Sequence, residues 1–376
     1  MSHPYNSEFM IAERRIATDE PTYFIADIAA NHDGDLERAK DLIWKCKEAG
    51  ADAAKFQHFK AEKIVSDYGF KNLGAQQSHQ AKWKKSVVET YRDAECGRTW
   101  TEELVKTAKE ANIHFFTSPY DDEALKLMDP VVPAYKIGSG DITWIKIVEK
   151  MAKLGKPVLL ATGASSMTDV ERAVAAITKH NPNICVMQCN TNYTALPENF
   201  KYIQLNVLKA YAEKWPNMVL GLSDHTPGHS TVLGAVALGA RMVEKHFTDD
   251  NDREGPDHPF SMNPTTWREM VDRTRELEYA LGGTTKKVEG NEDQTVVLQR
   301  RCLRLTQNLP SGTVLTEAHL EALRPCPENA FEPYWEDMII GKPLTTDKVA
   351  GDSLNKTDVD LPAEVLSNES KALVGV

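Results

Sequence analysis

Short apolar runs alternate with longer amphipathic segments along most of the chain, from Tyr23 to about Gly282. The segment DLERAKDLIWKCKEAG is typical of the connections, since it starts with acidic residues, places apolar residues three and four positions apart, and ends in glycine. This spacing predicts a helix, and the short apolar runs predict buried parallel strands. Eight strand–helix units in roughly 260 residues favour a (β/α)8 TIM barrel, a fold of the α/β class. The predicted strands are YFIADIAA, AAKFQHF, IHFFTS, AYKIGSG, PVLLATG, ICVMQCN, MVLGLSD and ARMVEKHF.

An open, doubly wound sheet is the alternative arrangement of the same elements. No G-x-G-x-x-G follows the first predicted strand, so the barrel is favoured. The connection between the second and third strands is longer than the others and contains the polar, basic stretch GAQQSHQAKWKKS. Long connections in compact domains usually serve a function, so we expect a loop on the active-site face. Packing of additional helices is the alternative.

The pattern changes after Gly282. The polar stretch GGTTKKVEGNEDQ, residues 282–294, is typical of a linker, so we expect the barrel domain to span residues 1–282 and the linker residues 283–295. Short apolar runs broken by proline-rich turns follow, which predict a small, mostly β domain over residues 296–360 and a tail over 361–376.

The composition narrows the function classes. With 41% hydrophobic and 26% charged residues the chain is an ordinary globular protein, and its formal net charge of −11 argues against nucleic-acid or anionic-membrane partners. No apolar segment has the length of a signal peptide core or a membrane span, so we expect a cytoplasmic protein. Six scattered cysteines form no C-x-x-C pair, which favours buried free thiols over disulfides or metal ligands.

Polar residues follow the apolar runs at the points where the predicted strands end. In a parallel barrel these ends open on one face, so their side chains meet at one site. They are Asp27, Asn31 and His32; Lys55 and Gln57; Thr117 and Ser118; Lys136 and Ser139; Thr191, Asn192 and Tyr193; Ser223, Asp224 and His225; and Glu244 and His246.

Two lysines, Lys55 and Lys136, lie inside predicted strands. A buried ammonium group without an anion costs roughly several kcal/mol, so each lysine needs a partner. A neighbouring carboxylate such as Asp27 or Glu244 is one candidate. We favour a bound phosphate, because serine hydroxyls lie at the adjoining strand ends and two cations suit a dianion.

A histidine follows each of the last two predicted strands, His225 in GLSDHTPGHS and His246 in VEKHFTDDNDREGPD. A single histidine is more often a hydrogen-bonded packing residue. Two at matched strand ends can share one divalent ion and leave positions open for water and substrate. The pair therefore predicts a divalent metal site, with Mn²⁺, Mg²⁺ or Co²⁺ expected and Zn²⁺ also compatible.

Several motifs together resemble the N-acylneuraminate (sialic acid) synthase family, which includes legionaminic and pseudaminic acid synthases. They occur in the order IADIAANHDG, GADAAKFQHFKAEKI, AYKIGSGD, GLSDHT and EKHFTDDNDREGPDHPFSMNP, followed by a terminal LRP…IIGKPL module. The resemblance extends from about Tyr23 to Leu354. It implies a TIM barrel joined to an antifreeze-like (SAF) domain in a homodimer with swapped domains.

The resemblance also implies an activity, the condensation of phosphoenolpyruvate with an open-chain N-acyl hexosamine. N-acetylmannosamine or a deoxy diamino relative would give a nine-carbon nonulosonic acid and phosphate. The residues that would hold phosphoenolpyruvate are Lys55, Ser118, Lys136, Ser139 and Ser223, with Thr191 at a position where the family often has a phosphate-binding asparagine. His225 and His246 would bind the metal, Tyr193 and Asp257 would contact the sugar, and Arg324 would reach into the barrel of a partner subunit.

One departure from the family concerns Asp27, which stands where a glutamate is usual and is shorter by one methylene. Our hypothesis is that Asp27 and Gln57 position or deprotonate the water that attacks C2, while Lys55 and Lys136 neutralise the phosphate. The alternative function is that of another phosphoenolpyruvate-dependent synthase on a barrel, which uses a phosphorylated aldose. From a different class, a catalytically silent sugar-binding module is also considered, but it would leave the buried lysines and paired histidines without a purpose.

Overall fold

A nearly closed set of parallel strands forms the core of the first of two units, residues 1–282 and 283–376. The structure, a computed structural model, describes residues 3–73, 83–194 and 196–366. The first nine residues of the predicted stretch GAQQSHQAKWKKS, residues 74–82, lie outside the described residues. Within the described ranges, no helix is long and apolar enough to cross a membrane.

Eight parallel strands form one sheet in the first unit. The hydrogen-bonded order is β5-β4-β3-β10-β9-β8-β7-β6, and β5 and β6 also pack side by side, so the sheet is a nearly closed barrel. The predicted TIM barrel is therefore confirmed. Its strands are β3 (Tyr23–Asp27), β4 (Ala53–His58), β5 (His114–Pro119), β6 (Tyr135–Ile137), β7 (Val158–Ala161), β8 (Ile184–Cys189), β9 (Val219–Asp224) and β10 (Ala240–His246).

Helices alternate with these strands, and several of them begin at side-chain caps that the sequence supplies. Asp35 caps the first long helix by accepting a hydrogen bond from the Arg38 amide, and Ser166 and Asp169 form a capping box at another. The helices of this unit are α1 (Leu36–Glu48), α2 (Ala61–Ile64), α3 (Asp67–Asn72), α4 (Val87–Asp93), α5 (Thr101–Glu110), α6 (Asp122–Met128), α7 (Ile145–Lys153), α8 (Met167–Thr178), α9 (Val207–Lys214), α10 (Ser230–Ala237) and α11 (Pro264–Leu281).

The strands bury both faces, and the period of two divides the core into two layers. Outward-facing strand residues pack against the helices in a large cluster that includes Phe24, Phe56 and Val243. Inward-facing residues near the strand starts, such as Tyr23 and Met242, fill the barrel interior. Inward-facing residues near the strand ends are therefore left to form the opposite mouth.

A hairpin that the sequence analysis did not predict precedes the barrel. Strands β1 (Glu8–Ile11) and β2 (Arg14–Ala17) pair antiparallel. Phe9, Ile11 and Ile16 join the cluster inside the barrel, so the hairpin closes the end where the strands begin. Each strand has only four residues. An alternation of apolar and polar residues over so short a stretch cannot be distinguished in the sequence from an irregular segment with turns.

The second unit has its own apolar core, which includes Leu303, Phe331, Trp335 and Leu344. Two short antiparallel strands and several isolated bridges form its β structure. A short helix crosses position 296, where the sequence predicts the linker to end. The elements are α12 (Asp293–Gln299), β11 (Cys302–Leu305), β12 (Leu320–Leu323), α13 (Glu336–Ile339) and α14 (Ala363–Leu366).

Candidate active site

Inward-facing polar residues at the strand ends share one mouth of the barrel. The strand register explains this, because Asp27 pairs with both Lys55 and His246 across adjacent strands and Glu244 pairs with Ser223. Asp27, Lys55, Lys136 and Glu244 are all at most 5% exposed. Such burial of four charges is stable only if they compensate one another.

Glu244 lies at the centre of these charges. Its Oε1 accepts a hydrogen bond of 3.1 Å from the Ser223 hydroxyl and lies 3.2 Å from Lys136 Nζ, and its Oε2 lies 3.8 Å from Lys55 Nζ. Lys55 also forms a short ion pair with Asp27. The carboxylates that the sequence analysis considered as partners are thus in place, and burial of the lysines does not by itself require a phosphate.

The charge of Lys55 is maintained by these neighbours. Burial opposes the ammonium form, but the charges of Asp27 and Glu244 outweigh it and raise the pKa of Lys55 above its usual value. Lys55 is therefore a permanent cation at neutral pH.

Asp27 is held between the strand ends by several donors. Its Oδ2 accepts a hydrogen bond of 3.1 Å from Gln57 Nε2, and its Oδ1 accepts one of 3.1 Å from the Ala29 amide. His246 Nε2 lies 3.8 Å from Oδ2. The carboxylate is therefore fixed next to both the charged cluster and the histidine pair.

The rings of His225 and His246 lie side by side, with centroids 5.3 Å apart. His225 Nδ1 donates a hydrogen bond of 2.9 Å to the Asn190 carbonyl, so in the neutral ring Nε2 carries the lone pair. His246 Nδ1 is buried without a hydrogen-bond partner and lies 3.6 Å from Asp257 Oδ2. Tyr193 covers His225 at a centroid distance of 4.2 Å, and Phe260 covers His246 at 4.9 Å.

The two imidazoles differ in basicity. Burial lowers the pKa of His246 well below its usual value, and the neighbouring charges of His225 and Lys55 lower it further. Burial also lowers the pKa of His225. The hydrogen bond with Cys189 and the negative charge of the Cys189 thiolate outweigh burial, so the pKa of His225 is raised. In the described residues, no group of three or more His, Cys, Asp or Glu side chains has the arrangement of a metal site. Any ion here would depend on two imidazoles, water and substrate.

Asp257 approaches this pair from the loop after β10. Its carboxylate accepts a hydrogen bond of 3.2 Å from the Ala30 amide. Burial, with a contribution from the charge of Asp27, raises the pKa of Asp257 to about 6. This group can therefore exist as either acid or carboxylate near neutral pH.

Three further strand ends also carry hydroxyl groups, those of Ser118, Ser139 and Thr191. Ser118 faces inward because the Thr117 hydroxyl points to the outer layer, where it donates a hydrogen bond of 3.0 Å to the Phe56 carbonyl. Ser139 Oγ accepts a hydrogen bond of 2.9 Å from the Gly163 amide. The Thr191 hydroxyl is buried without a partner and lies where a Cβ on Gly163 would overlap it. These hydroxyl groups lie at strand ends on the same face of the barrel as the charged cluster.

Arg324 belongs to the second unit, where it is exposed and its Nε donates a hydrogen bond of 2.7 Å to the Gln299 carbonyl. Two residues of the mouth, Cys189 and Phe260, were absent from the strand-end residues that the sequence indicated, whereas Glu244 was among them as a candidate partner of the buried lysines. Cys189 ends a strand and could have been included on that ground. Phe260 follows a loop and carries no such signal.

Comparison with known proteins gives consistent results. The model of the NeuB family matches residues 42–286. The chain is 33% identical to N-acetylneuraminate-9-phosphate synthase of Homo sapiens, covering 81% of this chain and 83% of that protein. It is 32% identical to N,N'-diacetyllegionaminic acid synthase of Campylobacter jejuni, covering 86% and 96%. The crystal structure of N-acetylneuraminic acid (sialic acid) synthetase from Leptospira borgpetersenii in complex with citrate aligns with a TM-score of 0.66 at 28% identity, covering 77% and 95%.

A parallel barrel with a charged, histidine-bearing mouth thus occurs in a chain whose relatives are named synthases. The chain belongs to the NeuB family. The resemblance to sialic acid synthases is therefore confirmed, and the protein is an enzyme of this family.

Proposed function

We propose that the protein joins phosphoenolpyruvate to the aldehyde carbon of an open-chain N-acyl hexosamine, releasing phosphate and a nine-carbon 2-keto sugar acid. The observation that supports this most strongly is the grouping of two lysines, two carboxylates and two imidazoles at one barrel mouth in a member of the NeuB family. The lysines suit a phosphate, and the imidazoles suit a carbonyl that must be polarised.

We propose that His225 and His246 hold a divalent ion. Their 5.3 Å separation is compatible with ligand bonds of roughly 2 Å to a shared ion, and the partnerless, buried Nδ1 of His246 is a group that needs a ligand. When bound, the ion would stabilise negative charge on the aldehyde oxygen of the sugar. Two imidazoles suit several ions, with Mn²⁺, Mg²⁺ and Co²⁺ as the first candidates.

Lys55 and Lys136 bind the phosphate and carboxylate of phosphoenolpyruvate in this proposal, together with the hydroxyls of Ser118, Ser139, Thr191 and Ser223. Because Glu244 and Asp27 already compensate the lysines, the anion must displace part of the Glu244 contacts. In the enzyme without substrate, Glu244 therefore holds the side chains of Lys55 and Lys136 in place. When the anion binds, it competes with Glu244 for these two cations. This role of Glu244 follows from its contacts with the two lysines.

Asp27 handles the proton of the attacking water. Bond formation from C3 of phosphoenolpyruvate leaves a cationic C2, which water captures. Asp27, aligned by Gln57, accepts one proton of that water, while the aldehyde oxygen takes up a proton and becomes a hydroxyl. The C2 hydroxyl of the resulting hemiketal phosphate then loses its proton as the C–O bond to phosphate breaks, which leaves the 2-keto acid. Tyr193 and Asp257 lie beside the imidazoles, where the sugar would contact them.

The finer features of the proposal rest on the family resemblance. Arg324 would complete the sugar site of a partner subunit in a homodimer with swapped domains. The six cysteines are all free and buried, which supports a reducing compartment such as the cytoplasm.

Phosphate release from phosphoenolpyruvate tests the function. The acceptors are N-acetylmannosamine and its 6-phosphate, a 2,4-diacetamido-2,4,6-trideoxy hexose, arabinose 5-phosphate and erythrose 4-phosphate, each with and without a chelator. Release with an N-acyl hexosamine that a chelator abolishes supports the proposal. Release only with arabinose 5-phosphate or erythrose 4-phosphate would establish the alternative synthase, and no release with any sugar would favour a silent binding module.

A further inference from the structure

A second buried ion pair lies directly behind the two histidines. Asp224 precedes His225, and Lys245 precedes His246, so in both strands the charged residue faces the helix layer while the imidazole faces the mouth. The parallel register places Lys245 opposite Asp224. Both side chains are only 1% exposed.

Several hydrogen bonds hold the pair in place. Lys245 Nζ forms a short contact with Asp224 Oδ2 and donates to the Thr226 carbonyl at 2.6 Å. The Asp224 carboxylate also accepts hydrogen bonds of 2.8 Å from the hydroxyls of Thr226 and Thr231. Thr231 belongs to the first turn of α10, so this network joins two strand ends and a helix.

Stability alone does not explain such a pair. Two charges removed from water are often no more stabilising than apolar residues of the same volume, and most residues of this layer are apolar. A hydrogen-bonded charge pair, however, has one preferred geometry, whereas apolar contacts tolerate small shifts. Its position directly behind both imidazoles connects that geometry to their spacing.

We propose that Asp224 and Lys245 are positioning residues that set the separation of His225 and His246 and thereby the affinity of the site for its divalent ion. The inference rests on the proposed function, because it requires the two imidazoles to bind an ion. A displacement of either charged side chain moves the backbone of the adjacent histidine, and supporting groups of this kind typically change metal affinity by about 10- to 100-fold.

The test measures Mn²⁺ binding by the metal-stripped full chain, using the electron paramagnetic resonance signal of free Mn²⁺. The double variant Asp224→Asn/Lys245→Met removes both charges, retains an acceptor for the two threonines and leaves both histidines intact. We expect its dissociation constant to rise by about 10- to 100-fold. The matched control is Arg98→Met/Asp121→Asn, which removes a largely buried pair that contacts neither imidazole and should change the constant less than threefold.

A milder variant keeps the test decisive if the double variant does not fold. Thr231→Val removes one hydrogen bond to Asp224 and conserves volume, and it should weaken Mn²⁺ binding about three- to tenfold with an unchanged circular dichroism spectrum. Wild-type affinity in the folded double variant, or in Thr231→Val if only that one folds, would overturn the positioning role. A wild-type chain that binds no Mn²⁺, Mg²⁺ or Co²⁺ would instead refute the proposed metal site itself.

Discussion

The Gly163 backbone and the Thr191 hydroxyl are in close contact at the wall of the proposed anion pocket. A methyl group on Gly163 would overlap the Thr191 hydroxyl and crowd Ser139 Oγ. We predict that Gly163→Ala raises the KM for phosphoenolpyruvate at least tenfold, corresponding to about 1.4 kcal/mol of lost binding, with a smaller effect on kcat. Initial-rate kinetics of phosphate release would measure both constants.

Gly140→Ala provides the control, since nothing lies within 4 Å of a Cβ at that position. It should leave the KM within about twofold of the wild-type value. Equal KM values for the two variants would show that Thr191 and Ser139 do not border the phosphoenolpyruvate site.

Asp141 tests the electrostatics of the same region through stability. Burial raises the pKa of this carboxyl from 3.8 to about 6. Because the folded state then favours the protonated form, its contribution to stability is complete below pH 3.8 and is lost as the pH rises through about 6. Asp141→Asn should therefore increase the free energy of unfolding by about 1–3 kcal/mol at pH 8 and change it little at pH 4.

Urea denaturation at the two pH values would check this prediction. The informative quantity is the difference between the stabilisation at pH 8 and at pH 4. A substitution effect of the same size at both values would mean that ionisation of Asp141 carries no penalty in the folded enzyme.

At the scale of elements, the β1–β2 hairpin illustrates a part of the core that has no direct role in chemistry. Ile11 is completely buried inside the barrel end, whereas its neighbour Met10 is 50% exposed. Ile11→Ala should lower the free energy of unfolding by about 2–5 kcal/mol, and Met10→Ala by less than about 1 kcal/mol. Chemical denaturation would measure both, and kcat should remain at the wild-type value.

If Ile11→Ala and Met10→Ala had the same stability, the hairpin would not be packed as the structure describes. A large fall in kcat for Ile11→Ala would also contradict the separation between the closed end of the barrel and its reactive mouth.

Sequence patterns predicted the barrel strands because each strand is an apolar run whose length and spacing are local properties. The same alternation identified most of the mouth, since the final inward-facing residues, such as Lys55 and His246, are polar. The group with which each buried lysine pairs was not predictable in this way. Whether Lys136 faces a carboxylate or a ligand depends on the distance to Glu244 across the barrel, and no local pattern encodes that distance.

At the scale of the whole molecule, the proposed exchange of Arg324 between subunits can be tested by complementation. Arg324→Ala and His246→Ala should each be nearly inactive alone. If Arg324 completes the partner's site, mixed dimers contain one intact site, and an equimolar mixture after subunit exchange should recover roughly a quarter of wild-type activity. No recovery, with mixed dimers detected by differently tagged chains, would contradict exchange of this arginine.

The measurement that tests the central claim most directly is phosphate release from phosphoenolpyruvate and an N-acyl hexosamine in the presence of Mn²⁺, for wild type, His246→Ala and His180→Ala. His180 follows α8 and precedes β8, so it lies at the rim opposite the site. The account predicts full activity for His180→Ala and a loss of at least about 1,000-fold for His246→Ala, the size expected when the polarising group is removed. Wild-type turnover by His246→Ala would contradict it.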